Sequence, residues 1–110
     1  MDLVELTRKL IAIPSYVDEG NDERQIGTFI FDYFQKVGIP LQVEKQSVEN
    51  GRFNVIVRDE HPPRLMFCCH MDTVPPSGNW QHDPFAGQIE GEPAPRPTIV
   101  PGNAGAIFAF

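Results

Sequence analysis

Along residues 2–13, DLVELTRKLIAI, the apolar positions Leu3, Leu6, Leu10 and Ile13 recur at intervals of three and four with charged residues between them. That spacing gathers them on one face of a helix, and Asp2 followed by Glu5 has the form of a capping box. Pro14 ends the element, because proline biases the residue before it away from helical geometry. After the polar, turn-prone SYVDEGN, a second helix is predicted over NDERQIGTFIFDYFQKVG, residues 21–38. Its apolar stripe is Ile26, Phe29, Ile30, Tyr33, Phe34 and Val37. Asn21 or Asp22 can cap its start, first-turn acids suit the helix dipole, and Gly38 stands where a C-terminal cap belongs.

The period then falls to two. LQVEKQSV alternates Leu41, Val43 and Lys45 against Gln42, Glu44 and Gln46, the pattern of a half-exposed strand. ENGR follows, and Asn-Gly is a strong hairpin signal. RFNVIVRD reads as the partner strand, DEHPPR as a loop, and RLMFCC as a third strand. Being apolar on both faces, RLMFCC suits an interior strand with a layer on either side. AGQIEG, residues 86–91, has the form of one more short strand. Beyond Glu92, prolines 93, 95, 97 and 101 exclude regular helix or central strand. The ending NAGAIFAF reads as the beginning of a buried helix that the chain does not complete. Two helices followed by strands predict an α/β fold, a partial layered domain, with residues 1–91 as its body and 92–110 as a Pro-rich tail. No internal repeat interrupts this order.

Composition narrows the function classes. At 110 residues and 41% hydrophobic content, one small domain with a modest core is expected. A net charge of −6 argues against a nucleic-acid partner, which needs a basic face for the phosphates, and equally against an anionic membrane. No apolar run approaches the roughly 18 residues of a membrane span. The N-terminus alternates apolar and charged residues, unlike a signal peptide, so a cytoplasmic location is expected. The only cysteines, Cys68 and Cys69, are neighbours. Neighbours on a strand face opposite ways and pair poorly, so both are expected to be small strand residues in a reducing compartment.

The chemistry lies in LMFCCHMDTVPP, residues 65–76. In extended chain, residues i and i+2 face the same way, so His70 and Asp72 project together, at the sheet rim where α/β folds place their ligands. A neutral imidazole is a good zinc ligand, and a nearby carboxylate can fix its tautomer. Taken alone, the pair fits a metal ligand with its helper, or an imidazole bonded to an acid at a strand end with no further role. His61 belongs to a charged, proline-bounded loop and is expected to be solvated. His82, beside Asp83, would at most shape an entrance, and Trp80 and Phe85 read as loop anchors.

The longer string LMFCCHMDTVPPSGNWQHDPF resembles the first metal-binding segment of the co-catalytic zinc hydrolases. That family holds acetylornithine deacetylases, succinyl-diaminopimelate desuccinylases, aminoacylases and glutamate carboxypeptidases. Its pattern of His-x-Asp-Thr-Val-Pro, then Trp, then Asp-Pro-Phe is met by His70, Asp72, Thr73, Val74, Pro75, Trp80, Asp83, Pro84 and Phe85. LIAIPS at 10–15, Gly38 and RFNVIV agree with earlier family segments, so the resemblance runs over about residues 3–91. It implies part of an α/β/α zinc-hydrolase domain, with His70 a ligand of one of two zincs and Asp72 the catalytic acid that positions that imidazole. It also implies cleavage of an amide or peptide bond in a small N-acyl amino acid or peptide by metal-bound water, with the base a glutamate not present here. Two departures stand out. Cys69 replaces a usual glycine, and the family's Gly-Arg-Gly…Asp…Lys-Gly segment reads APRPTIVPGNAG. There Arg96 is flanked by prolines, and Ile99 or Val100, depending on register, takes the place of the zinc-bridging aspartate. At most one weakly held zinc is therefore expected of this chain alone. The alternative expectation is a non-catalytic, altered or truncated product acting only by interaction, with an exposed sheet edge open to self-association.

Overall fold

Helix α1 spans Leu3–Ile11. Asp2 caps it as its position predicts: the carboxylate accepts from the Glu5 N–H at 2.8 Å, satisfying a first-turn donor that has no partner within the helix. The Glu5 side chain pairs forward with Lys9 at 3.2 Å, one turn on. The inward face is Leu10 and Ile11, both buried, while Leu3 at the helix start is exposed. The structure is a computed structural model that describes residues 2–90 and 98–99.

Helix α2 spans Arg24–Lys36 with Glu23 at its N-cap. It begins later than the sequence pattern implies because its expected caps are used elsewhere. The Asn21 amide donates to the carbonyls of Pro14 at 3.2 Å and Tyr16 at 2.6 Å, so it ties the preceding loop. Asp22 accepts from the Arg24 N–H at 2.9 Å and from Arg24 Nε at 3.0 Å, serving the first turn from outside it. At the other end Gly38 takes a φ of 76°, the left-handed geometry of a helix stop.

Strands β1 (Gln42–Ser47) and β2 (Phe53–Arg58) form an antiparallel pair with Val43 opposite Val57 and Lys45 opposite Val55. Asn50 and Gly51 both adopt positive φ, 52° and 78°, as a primed hairpin turn requires, and the Arg52 N–H closes on the Glu49 carbonyl at 2.8 Å. The hairpin lies against α2. Arg52 fastens its turn to the helix start, with Nε and Nη2 reaching the same Glu23 oxygen at 2.8 and 2.7 Å. The Lys45 ammonium lies 4.8 Å from the Phe31 ring centre and 4.6 Å from that of Phe53, bridging helix and hairpin. Ile26, only 2% exposed, is the best-buried apolar side chain among the described residues.

The α/β class therefore holds: two helices, then antiparallel strands. The third strand does not form. Residues 65–70 join no strand pair, and Leu65, Met66 and Phe67 are 74%, 83% and 81% exposed. Cys68 and Cys69 are exposed with them rather than packed in a sheet. The reason is that a segment apolar on both faces needs a neighbouring strand and a covering layer. The β1–β2 pair keeps two outer edges, but residues 65–70 join neither of them, and no described element covers them.

The short strand expected in AGQIEG is β3 (Ile89–Glu90), paired antiparallel with β4 (Thr98–Ile99), Ile89 opposite Ile99. The rest of the Pro-rich stretch 92–110, with the helix expected in NAGAIFAF and with Arg96 and Val100, lies outside the described residues. Among the described residues no helix is long and apolar enough to cross a membrane.

Candidate functional site

Although residues 65–70 are unpaired, the alternation that the sequence predicts survives from His70 onward. His70 and Asp72 are exposed, while Met71 and Thr73 are half-buried. Met71 turns toward α2: its Cε lies 3.6 Å from the point where a Cβ on Gly27 would stand. Thr73 turns toward the loop after α1. Its N–H donates to the Ser15 carbonyl at 3.3 Å, and it forms a parallel bridge with Tyr16. The Ser15 hydroxyl, in a residue only 1% exposed, faces Thr73 Oγ1 at 3.4 Å.

That loop is a hub. Asn21 holds it from one side through Pro14 and Tyr16. From the other side the Asp83 turn delivers Phe85: Asp83 Oδ1 accepts from the Phe85 N–H at 2.9 Å, and the Phe85 ring centre lies 6.2 Å from that of Tyr16. Arg8 on α1 then donates from Nε to the Gly87 carbonyl at 2.9 Å. Phe85 is the loop anchor that its type suggests. Trp80 remains 40% exposed and does not anchor as expected.

The His70 ring faces its neighbour as the spacing predicts, with one refinement. Nδ1 lies 2.7 Å from the main-chain carbonyl of Asp72 and 3.4 Å from its carboxylate Oδ1. A carbonyl can only accept, so Nδ1 carries a proton, and in the neutral form of the ring the lone pair is then on Nε2. The side chain is 68% exposed, which leaves Nε2 open to a ligand. His61 is solvated as expected, 85% exposed and 3.6 Å from Asp59. His82 is half-buried.

Sequence reasoning missed Ser15, Asn21, Gly27 and Met71 as supports of the pair. The two-residue period that sets His70 and Asp72 on one face would also set Met71 and Thr73 on the other, and that was the available signal.

No family model and no solved structure gives a significant match to the chain. Curated relatives do. A probable carboxypeptidase of Aspergillus clavatus is 36% identical over 76 residues, covering 67% of this chain and 17% of its own length. An acetylornithine deacetylase of Photorhabdus laumondii is 29% identical over 90 residues, 74% of this chain and 23% of the relative. A succinyl-diaminopimelate desuccinylase of Helicobacter pylori is 33% identical over 102 residues, 77% of this chain and 24% of the relative. The chain belongs to this deacylase and carboxypeptidase family. It spans about a quarter or less of the length of these relatives.

The deacylase and carboxypeptidase family is one of hydrolases, and its zinc chemistry can be tested against the donors present. His70 suits the part of a single donor: an oriented, exposed ring whose Nε2 is not taken up by Asp72. The set does not suit a centre. Among the described residues no group of three or more His, Cys, Asp or Glu side chains could hold a metal ion, whereas a catalytic zinc takes about three protein ligands.

Proposed function

We propose that these residues are the part of a zinc-dependent amide- or peptide-bond hydrolase that presents its first metal ligand. The substrate class is a small N-acyl amino acid or short peptide, in keeping with the names of the relatives, and the compartment is the cytoplasm. His70 is the ligand, through Nε2. Asp72 is the residue that holds the ring, through its carbonyl first and its carboxylate second, as outer partners of metal-bound histidines do. Zinc, when bound, supplies Lewis acidity toward the carbonyl and toward water. The remaining donors and the general base belong outside the described residues. The observation that carries this reading is the 2.7 Å contact from His70 Nδ1 to Asp72, which leaves the opposite nitrogen open.

A second reading, that the chain on its own binds no zinc and acts only through contacts, draws on the missing three-donor group and the exposed apolar run at 65–67. Zinc content after dialysis separates the two, measured together with hydrolysis of N-acetyl and N-succinyl amino acids and of dipeptides. Near-stoichiometric zinc, with zinc and turnover both lost in His70→Ala, supports the hydrolase reading for this chain. Neither zinc nor turnover in the wild type supports the second.

A further inference from the structure

We infer that Met71, seated in the notch that Gly27 leaves on α2, is a positioning residue that sets which nitrogen of His70 is presented outward. The inference deepens the metal-ligand reading of His70 and takes its purpose from it. No strand ladder reaches His70 from the N-terminal side, since residues 65–70 are unpaired and exposed. Its backbone orientation must come from the C-terminal side.

Two fixed points are available there. At Met71 the notch is tight. A Cβ on Gly27 would stand 3.0 and 3.2 Å from Cε2 and Cζ of Phe53 and 3.6 Å from Met71 Cε, so the helix backbone, the Phe53 ring and the Met71 methyl meet at one place. At Thr73 the N–H is held by the Ser15 carbonyl. Only Asp72 lies between these points, so its peptide group has little rotational freedom and its carbonyl is held toward His70 Nδ1. The ring's tautomer follows from that carbonyl. Met71 thus acts through Asp72 without touching any ligand.

The test reads the tautomer directly in the full chain, without zinc, from ring 15N–1H spectra at about pH 8, where imidazole is neutral. His70→Gln identifies the His70 signals. In the wild type His70 is expected as the Nδ1–H form, whereas a solvated ring such as His61 favours Nε2–H. Met71→Ala should move the His70 signals to the pattern of His61 and leave His61 unchanged. Met71→Leu, close in volume, should restore the Nδ1–H form. Gly27→Ala would press a methyl against the Phe53 ring at 3.0 Å but meet the Met71 methyl only at an ordinary 3.6 Å, so it should leave the Nδ1–H form in place. The inference is overturned by an unchanged His70 tautomer in Met71→Ala with native backbone spectra. If that variant does not fold, an unchanged tautomer in Met71→Val, which keeps an apolar side chain but removes the methyl that reaches α2, overturns it. A wild-type His70 in the Nε2–H form also overturns it. Because no metal is used, an intact tautomer preference combined with zinc binding indifferent to His70→Ala would sink the functional reading alone.

Discussion

Residues 65–69 and residues 71–73 belong to one extended run, divided only by His70, and they meet opposite fates. The first stretch is the more hydrophobic, yet Leu65, Met66 and Phe67 stand almost fully in solvent. The second is mixed in character, yet Met71 and Thr73 are partly covered. What separates them is a receiver. Met71 finds the bare backbone of Gly27, and Thr73 finds a main-chain carbonyl aligned in parallel register. Hydrophobicity supplies a driving force without a direction, and a strand apolar on both faces needs a paired edge and covering layers, parts that no described element takes up for residues 65–70.

If α2 is the floor under the tethered half, undermining it should give the largest effect. Ile26→Ala removes the best-buried apolar side chain, next to the Gly27 notch. Truncations of this kind cost about 2–5 kcal/mol, a large share of a small domain's total stability. Urea unfolding followed by helical circular dichroism measures it. A loss below about 0.5 kcal/mol, the range of an ordinary surface change, would show that the tether does not depend on this core.

The untethered half should respond in the opposite sense. Phe67→Lys replaces an apolar ring that is 81% exposed, so stability should stay within about 0.5 kcal/mol of the wild type. Self-association should fall, because a charge interrupts an exposed apolar run that invites edge pairing. Sedimentation velocity across a concentration series reads both variants. An unfolded Phe67→Lys chain would mean that residue 67 is packed after all, and the contrast between the halves would collapse.

This contrast also explains what the sequence made legible. The Asp2 cap, the Asn50-Gly51 turn and the Gly38 stop are local devices whose partners lie within a few residues, so spacing alone exposes them, and the α2 stripe shows in its own helical period. RLMFCC misled because burial is not local: its pattern states what it needs, and nothing among the described residues answers. Asn21 misled for the converse reason. A helix N-terminus was within its reach, but the carbonyls of Pro14 and Tyr16 took its amide instead. In the site, the common face of His70 and Asp72 was readable from the two-residue spacing. The preference of the ring for the Asp72 carbonyl over its carboxylate was not, since a pattern of side chains says nothing about main-chain acceptors. Met71 drew no reading from the sequence because its role depends on a missing side chain on another element.

The smallest expected effect concerns the entry to α2, on which the tethered half rests. The Arg24 guanidinium, and then the Arg24 backbone N–H, hold the Asp22 carboxyl below the ordinary aspartate range. A carboxyl whose pKa is lowered by folding contributes stability that is complete above its unfolded value, about 3.9, and is lost as pH falls through the folded value. Wild-type protein should therefore lose a little more stability than Asp22→Asn on acidification below about pH 4, while Asp22→Asn should be the weaker of the two at neutral pH. Arg24 is more than half exposed, so solvent screens the pair and the difference should shrink further in high salt. Urea midpoints for both proteins across this pH range, at low and high salt, measure it. Parallel curves would mean that Asp22 does not brace the helix start, and that the Arg52–Glu23 clamp and the Lys45 and Phe53 contacts hold α2 beneath Met71 without it.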